Sequence, residues 1–432
     1  MANLVVQRDF ISREIIKPST STPPHPSTYK LSTFDQTSTS CYVPILLFYN
    51  NQAPNGSSEV MEISGILKNA LSNILNRYYP FAGKIKGNTS IDCNDTGAIF
   101  SVFHLKNKLV DILIQPDLNI LDILLPDALP WSNWKNGSLL EICVSFFNCG
   151  GFSIGMCISH KIADAYTIQL FLNDWAAMTK QPDIELRYPH LLEESAFPPG
   201  NRFTLQESQY PRGRNPVTRR FVFSPLKIAN LKARVVSSSI VQNPTRVEIV
   251  TAILYRCLLK ASKINSGSLS PSTLIIAVNL RPRVVPSLPY NSIGNAAWPF
   301  MLLINEEKKM KLDMLVAEMR EGRRKFFENS KNMKGSQWFS VVQTALANLK
   351  SMGNLYICSS WCRFPFYEAD FGWGKPTWVC ISKSPFCNTI VLLDSKNGDG
   401  IEAWIILEEQ VMSTLEGDDE LLEHALLNPS IR

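Results

Sequence analysis

His160 and Asp164 stand four positions apart in the stretch ISHKIADAYTIQ (158–169), and these two residue types can serve acid–base or metal chemistry. On one continuous helix they would share a face and could both bind a metal. The hydrophobic pattern changes here, however, from a strand-like run that ends at His160 to helix-spaced apolar residues after Asp164. The pattern therefore favours a carboxylate near the start of a helix, where it can cap the helix or anchor an arginine.

The spacing alone is weak evidence, because an ordinary buried histidine beside a helix cap would look the same. A metal site is poorly supported, since the chain has five histidines, no C-x-x-C pair and no H-E-x-x-H motif. Its ten cysteines lie mostly in apolar runs and are predicted to be reduced. We therefore expect no metal, no permanently bound cofactor and a cytoplasmic location.

The composition is typical of a well-packed protein of more than one domain, with 432 residues, 45% of them hydrophobic and 19% charged. The net charge is +5, and the basic clusters at 212–220 and 306–313 are short. Such clusters indicate solvated faces rather than a nucleic-acid interface, although a mild positive field suits an anionic small ligand. No apolar run reaches the roughly 18 residues of a membrane span. We expect a monomer that binds neither nucleic acid nor membrane.

The periodicity predicts a strand at 42–50, a helix at 58–79 and two strands around a Gly-Gly turn at 139–160. A helix follows Asp164, and a crossover linker is expected at 183–217. The second half shows helical patterns at 225–236 and 245–262, a buried strand at 272–280 and a hairpin about KNGDG (396–400). We predict an α/β protein of two similar-sized lobes. One comprises 1–200 with 371–400 crossing over, and the other comprises 201–370 with 401–432.

Three stretches together resemble the plant BAHD family of coenzyme A-dependent acyltransferases. They are ISHKIADA (158–165), YYPFAGKI (78–85) and FPFYEADFGWGKPTWVC (364–380), the last with a D-F-G-W-G motif. LSTFDQ (31–36), CGG (149–151), VNLRPR (278–283) and SIGN (292–295) are similar to further family stretches. The segments at 243–257 and 359–376 most resemble the branch of alkaloid O-acetyltransferases. One departure is Ala165, where many relatives carry glycine.

The resemblance implies a chloramphenicol acetyltransferase-like fold, two lobes of mixed sheet flanked by helices with the active-site channel between them. It implies acetyl transfer from acetyl-CoA, as co-substrate, to a hydroxyl of a plant specialised metabolite, with an alkaloid as the expected alcohol. His160 would be the general base for direct attack, with no acyl-enzyme. Two alternatives stay open, a relative that uses malonyl- or aromatic acyl-CoA and a catalytically silent member that acts as a protein partner.

The resemblance also implies roles for other residues. Asp164 would point away from the reacting atoms and pair with an arginine, for which Arg281 is the candidate; orientation of the histidine ring by Asp164 is the alternative. Ser359, Ser360 and Trp361 would lie beside the oxyanion. The D-F-G-W-G residues would be structural: Asp370, Phe371, Gly372, Trp373 and Gly374. Thr245, Arg246 and Asn279 lie near the family's coenzyme-binding segments.

Overall fold

The fold is given by a computed structural model that describes residues 6–22, 27–50, 57–126, 137–192, 197–199, 213, 215–238, 240–331, 333, 335–348 and 352–431. Much of the predicted linker at 183–217, and the predicted lobe boundary at residue 200, lie outside these residues. Among the residues described, no helix is both long enough and apolar enough to cross a bilayer.

The first half of the chain alternates short strands with helices. Its elements are β1 (Arg8–Ile16), β2 (Thr28–Lys30), α1 (Thr33–Thr37), β3 (Tyr42–Tyr49), α2 (Ser57–Leu75), β4 (Lys84–Lys86), β5 (Ser90–Asp92), β6 (Ala98–Leu105), α3 (Leu109–Ile114), α4 (Leu118–Ile123), β7 (Leu140–Phe147), β8 (Phe152–Ser159), α5 (Ala165–Lys180) and β9 (His190–Leu191). A 3₁₀ turn at Tyr79–Ala82 follows α2.

The second half has longer helices and a larger sheet. Its elements are β10 (Pro216–Phe223), α6 (Pro225–Val236), α7 (Arg246–Ser266), β11 (Ser272–Asn279), β12 (Ser292–Ile293), β13 (Ala297–Ile304), α8 (Leu312–Ser330), α9 (Ser336–Asn348), β14 (Asn354–Ser360), β15 (Trp378–Cys380), β16 (Thr389–Asp394), β17 (Ile401–Glu408), α10 (Glu409–Glu416), α11 (Asp419–His424) and β18 (Leu426–Leu427). Two 3₁₀ turns lie at Glu307–Met310 and Phe366–Glu368.

Two mixed sheets, one in each lobe, organise these elements. The first has the order β1-β6-β7-β8-β3-β15, and the second has the order β13-β11-β14-β16-β17-β10-β18. Strands β7 and β8 are buried along their whole length. Large apolar residues alternate in them with small or polar ones, and both sets of side chains are enclosed because the sheet is covered on both faces. Helices α2 and α5 pack on the first sheet, and α7 and α8 pack on the second. The predicted α/β fold of two lobes flanked by helices is confirmed.

Strand β15 links the two lobes, because a late segment of the chain completes the first sheet. Trp378–Cys380 pairs antiparallel with Leu46–Phe48 of β3. The Trp378 ring stacks 5.3 Å from Phe48 and 6.1 Å from Trp404 of the second sheet, between ring centroids. The segment predicted to cross over to the first lobe, 371–400, is longer than the part that does so. Strand β16 lies within it but pairs with β14 and β17 in the second sheet. The turn at 395–400 joins β16 to β17 as a hairpin, which keeps β16 in that sheet.

A third apolar cluster fills the boundary between the lobes. Phe34, from α1 of the first lobe, lies 5.5 Å from Trp338 of α9 and 5.6 Å from Trp298 of β13, between ring centroids. These rings pack with Leu280 and Ala296, which flank the loop between β11 and β13. The loop is thereby fixed against both lobes, and it carries residues that matter for the site described below.

Gly155 of β8 lies in a tightly packed part of the first sheet, so a substitution there tests the packing. A Cβ atom there would lie 2.3 Å from the Leu124 carbonyl oxygen, so backbone would have to move. We expect Gly155→Ala to lower the free energy of unfolding by about 1–3 kcal/mol in urea titrations. The control is Gly65→Ala in α2, where nothing lies within 4 Å of the added atom. That change should stabilise the protein by about 0.5–1 kcal/mol, and equal effects of the two substitutions would contradict this packing.

Candidate active site

His160 lies where β8 ends, at the boundary between the lobes. Its backbone N–H donates to the Cys41 carbonyl oxygen at 2.9 Å, which continues the pairing of β8 with β3. The chain then turns, and α5 begins at Ala165. His160 therefore has a fixed backbone at the end of a central strand, while its side chain contributes to the wall of a cavity between the lobes.

The His160 ring is oriented by Asn295, not by Asp164. Nδ1 of His160 lies 3.1 Å from Oδ1 of Asn295. Nδ2 of Asn295 donates to the His160 carbonyl oxygen at 2.8 Å and to Oδ1 of Asp35 at 2.9 Å, so the amide can present only its oxygen to the ring. Nδ1 must then carry the proton, which leaves the lone pair of Nε2 available.

Asp35 holds Asn295 in place from the first lobe. Oδ1 of this fully buried carboxylate also accepts the Asn295 backbone N–H at 2.8 Å, and Oδ2 accepts the Ser32 hydroxyl at 2.8 Å. Burial raises the pKa of Asp35, and its hydrogen bonds from Asn295 and Ser32 offset only part of that rise. Nζ of the buried Lys161 donates to the Gln36 carbonyl oxygen at 2.8 Å, which fixes the same short helix α1 from the other side.

Asp164 begins α5 and makes a bidentate pair with Arg281 across the lobe boundary. Its Oδ1 caps the helix by accepting the Thr167 N–H at 2.9 Å, and its Oδ2 accepts the Ala296 N–H at 3.0 Å. Arg281 donates Nη1 to Oδ2 at 2.8 Å and Nη2 to Oδ1 at 3.1 Å. Burial alone would raise the pKa of Asp164, but Arg281 and these N–H donors lower it overall.

Arg281, only 2% exposed, uses its remaining donors to fix the loop that carries Asn295. Its Nε donates to the Ser292 carbonyl oxygen at 2.9 Å, and Nη2 donates to the Gly294 carbonyl oxygen at 2.8 Å. The Tyr166 ring covers the guanidinium, with its centroid 4.6 Å from the central carbon. Asp164 is therefore linked to the His160 ring indirectly, because it holds Arg281, which holds the loop at 292–296 that carries Asn295.

His160 is kept neutral by its surroundings. Burial lowers the pKa of its imidazole, and the carboxylate of Asp164 and the hydrogen bond to Asn295 only partly counter this. A histidine whose pKa lies below the ordinary value is uncharged near pH 7. Nδ1 is protonated, and Nε2 has no hydrogen-bond partner in the part of the chain that the structure describes, so His160 can accept one proton from a group in the cavity.

The cavity beside His160 has a volume of about 410 Å³ and lies between the lobes. One face of the second sheet forms much of its wall, because alternate residues of each strand point to the same side. These residues are Ile275, Ala277 and Asn279 of β11, Ala297, Pro299 and Met301 of β13, and Leu355, Ile357 and Ser359 of β14. The opposite face of these strands is buried under α7 and α8.

Ser359, Ser360 and Trp361 all line this cavity with His160. Nε1 of Trp361 donates to Oγ of Ser359 at 3.1 Å, so the indole N–H is already used. That bond leaves the hydroxyl hydrogen of Ser359 to be donated elsewhere. Ser359 is thus better placed than Trp361 to donate to a group in the cavity.

The D-F-G-W-G residues lie outside the cavity wall, among the residues described. Oδ1 of Asp370 accepts the Gly372 and Gly374 N–H groups, both at 2.9 Å, and Oδ2 pairs with Lys180 at 2.6 Å. Phe371 packs edge-on against Trp175 of α5, 4.8 Å between centroids. Gly372, with φ of +105°, adopts a conformation that favours glycine. The motif fastens the end of α5 to the chain that leads into β15.

Of the three sequence-based candidates for coenzyme binding, one lines the cavity and two do not. Asn279 lines the cavity. Thr245 caps α7, accepting the Glu248 N–H at 3.2 Å, and Arg246 pairs with Asp394 at 3.1 Å and donates to the Gly398 carbonyl oxygen at 2.6 Å. Neither Thr245 nor Arg246 is part of the described cavity wall.

One group of possible metal ligands occurs in the described residues, Cys257 with Asp418 and Glu420. Glu420 contacts three cations, with Lys260, Arg256 and Arg234 all within ion-pair distance. Burial and the two neighbouring carboxylates raise the pKa of the Cys257 thiol to above its ordinary range. These residues form an ion-pair network in the second lobe.

Asn295 and Asp35 are the site residues that sequence reasoning did not identify. Both lie in stretches noted only for resemblance, SIGN and LSTFDQ. Their contact joins positions 260 residues apart, and no local pattern reports such a pairing. The resemblance of both stretches to one family was the only available signal.

Comparison with known proteins gives a consistent result. The model of the Transferase family matches residues 7–422. The chain is 37% identical to the 17,18-epoxy-17-hydroxycur-19-ene N-malonyltransferase of Strychnos nux-vomica, over 99% of this chain and 92% of that protein. It is 35% identical to the stemmadenine O-acetyltransferase of Catharanthus roseus, over 95% of this chain and 97% of that protein.

A solved structure matches over nearly the whole fold. The crystal structure of vinorine synthase superposes with a TM-score of 0.85 and 32% identity, covering 97% of this chain and 98% of that one. At this identity and coverage the likeness extends to both lobes.

Removing the Asp164 carboxylate should destabilise the protein, because the buried Arg281 guanidinium would lose its partner. We expect Asp164→Ala to lower the free energy of unfolding by about 3–5 kcal/mol at pH 7. Since the pKa of Asp164 is lowered in the folded state, this contribution is complete above about pH 4 and is lost as the pH falls through the folded-state pKa.

The control is Glu321→Ala, which removes a solvent-exposed ion pair on α8 with Arg324. That change should leave the unfolding midpoint in urea nearly unchanged. If Asp164→Ala had as little effect as the control at pH 7, the buried pair would not carry the stability assigned to it.

Proposed function

Because the chain belongs to the Transferase family, the BAHD acyl-CoA-dependent acyltransferases, we propose that it transfers an acetyl group from acetyl-CoA to a hydroxyl of a plant specialised metabolite, an alkaloid. The protein is an acyltransferase of groups other than aminoacyl groups. The observation that carries the proposal is a neutral, oriented His160 with a free Nε2 at the wall of the inter-lobe cavity.

In the proposed reaction Nε2 of His160 accepts the hydroxyl proton as the alcohol oxygen attacks the thioester carbonyl. A tetrahedral intermediate forms with negative charge on the former carbonyl oxygen. When it collapses, the C–S bond breaks, and the proton on Nε2 passes to the departing coenzyme A sulfur. The products are the ester and free coenzyme A, and His160 returns to its neutral form.

Ser359 is our candidate donor to the oxyanion, supported by the hydroxyl hydrogen that its bond from Trp361 leaves free. Donors aimed at developing charge are effective in a cavity of low polarity. Ser360 is a second candidate, and Trp361 would act through Ser359. Asn279 remains our candidate for contact with the pantetheine arm, supported by its place in the wall.

The preference for an acetyl donor is supported by the charges of the wall. A malonyl group would bring a carboxylate that needs a cation. Lys383 is the one lysine or arginine in the described part of the wall, and its Nζ is bound to Asp122 at 3.0 Å and Asn119 at 2.6 Å. The Strychnos relative is named for malonyl transfer to nitrogen, so malonyl-CoA is the donor against which the preference should be measured.

An alkaloid-sized alcohol is supported by the size and polarity of the cavity. Its wall is largely apolar and aromatic, including Phe34, Tyr42, Trp298 and Phe364. About 410 Å³ is within the range of small-molecule sites. We also propose a cytosolic monomer. The described residues include all ten cysteines, nine of them buried, and none of the ten forms a disulfide, which suits a reducing compartment.

Replacing His160 tests its proposed role as the general base. We expect His160→Ala to fold normally and to lose about 10²–10⁴-fold in turnover of acetyl-CoA with an acceptor found by screening plant alkaloids. His190→Ala is the control, because that side chain is exposed on β9 and should leave turnover intact. In the wild type, kcat/KM should fall as the pH drops through the lowered pKa of His160, below about 6.5, because only the neutral ring accepts a proton. Retention of a tenth of the activity in His160→Ala would refute the base.

Steady-state kinetics and the mass of the intact protein test whether an acyl-enzyme forms. Direct attack requires both substrates together, so initial-rate lines at several fixed alcohol concentrations should intersect. Incubation with acetyl-CoA alone should leave the intact mass unchanged. An acetyl adduct that an added alcohol removes would show a nucleophile on the protein and refute direct attack. Binding of acetyl-CoA without transfer to any alcohol of the panel would favour a silent family member.

A further inference from the structure

Lys383 lies on the wall of the inter-lobe cavity, but its ammonium group is held by helix α4. Nζ of Lys383 lies 3.0 Å from Oδ2 of Asp122 and donates to Oδ1 of Asn119 at 2.6 Å. The other oxygen of Asp122, Oδ1, accepts the Ser382 hydroxyl. Oγ of Ser382 in turn accepts the backbone N–H of Lys383 at 2.6 Å. Both oxygens of Asp122 are therefore used on two successive residues of the cavity wall.

Asp122 has a fixed position because the core of the first lobe holds its helix. It belongs to α4, and the nearby Leu121 and Leu124 are fully buried in the apolar core of that lobe. The Leu124 carbonyl oxygen lies against Gly155 of β8, where even a Cβ atom would not fit. The carboxylate of Asp122 is thus presented to the end of β15 by a rigid element, and Lys383 cannot leave it without losing an ion pair.

The segment that follows β15 runs close to His160. Cys380, the last residue of β15, pairs with Leu46 of β3, and on the other side of β3 lies β8, which ends at Ser159, immediately before His160. One strand therefore separates the two segments, which places their backbones on the order of 10 Å apart. Residues 382–384 line the same cavity as His160. The long side chain of Lys383, if it were released, could reach a substituent of an acyl group bound at His160.

We propose that Asp122 determines the choice of acyl donor, because it keeps the Lys383 ammonium group from donors that carry a terminal carboxylate. A malonyl group brings such a carboxylate, and burying it without a cation is costly. Lys383 is the one lysine or arginine in the described part of the cavity wall, and Asp122 engages it. An acetyl group carries no charge and needs no cation. Asp122 is thus a positioning residue that acts through Lys383, and this assignment rests on the proposed function for acyl-CoA as the donor.

Replacing Asp122 by asparagine should release Lys383. The carboxylate has two accepting oxygens, whereas the amide has one oxygen and one NH₂ group. While the amide oxygen accepts the Ser382 hydroxyl, the NH₂ group faces the Lys383 ammonium, and two donors cannot bond to each other. The side chains of Asp122 and Lys383 are 32% and 38% exposed, so the change leaves no fully buried unpaired charge and the variant should fold.

The experiment measures the Kd of malonyl-CoA and of acetyl-CoA on the full chain by titration calorimetry, which requires no alcohol. In the wild type the Kd of malonyl-CoA should exceed that of acetyl-CoA by about tenfold or more. We expect Asp122→Asn to lower the ratio of the two Kd values about tenfold, the usual effect of one new bond to a charged group. The double variant Asp122→Asn/Lys383→Met should lose this gain, because the ammonium group supplies it, and Lys383→Met alone should bring no gain.

The matched control is Asp9→Asn, which removes the same charge from an exposed ion pair with Lys106 and should leave the ratio unchanged. An unchanged ratio in Asp122→Asn would overturn the assignment. So would a gain that persists in the double variant, since Lys383 would then not be the group that Asp122 withholds, and so would a wild type that binds both donors equally well. A wild type that binds acetyl-CoA selectively but transfers no acetyl group to any alcohol would refute the proposed function and leave the donor selectivity standing.

Discussion

The buried pair of Asp164 and Arg281 is the interaction on which the candidate site depends, because it joins the two lobes where His160 lies. Burying either charge alone would carry a large desolvation penalty. The pair offsets that penalty because the remaining hydrogen-bonding positions of both side chains are also filled. Asp164 uses its oxygens on the start of α5 and on the Ala296 N–H. Arg281 uses its donors on the carbonyls of Ser292 and Gly294. One pair therefore fixes a helix start in one lobe and a loop in the other.

The orientation of His160 follows from that loop. Asn295 can offer only its oxygen to the ring because Asp35 and the His160 carbonyl occupy its amide hydrogens. The two carboxylates in this region have opposite surroundings: Arg281 lowers the pKa of Asp164, whereas Asp35 meets neutral donors and its pKa is raised by burial. The tautomer of one imidazole is thus set by residues from three separate parts of the chain.

Local patterns in the sequence were sufficient for the elements that carry His160 and Asp164. The apolar runs at β7 and β8 and the change of period at Asp164 predicted two strands, a turn and a capped helix, and these are present. The partnership of residues 35 and 295 and the early return of β16 to the second sheet were not predictable in this way. Both depend on long-range pairing, which is decided by the packing of the whole chain and leaves no periodic signal nearby.

Strand β15 has a consequence for synthesis on the ribosome. The edge of β3 that it covers belongs to the apolar stretch YVPILLFY, made early in translation, whereas Trp378–Cys380 comes near the end. At typical elongation rates the interval is on the order of tens of seconds. During that time the first lobe presents an unpaired hydrophobic edge, the kind of surface that recruits other nascent chains. Expression yield should therefore depend on chaperone supply, and fragments ending before residue 378 should aggregate.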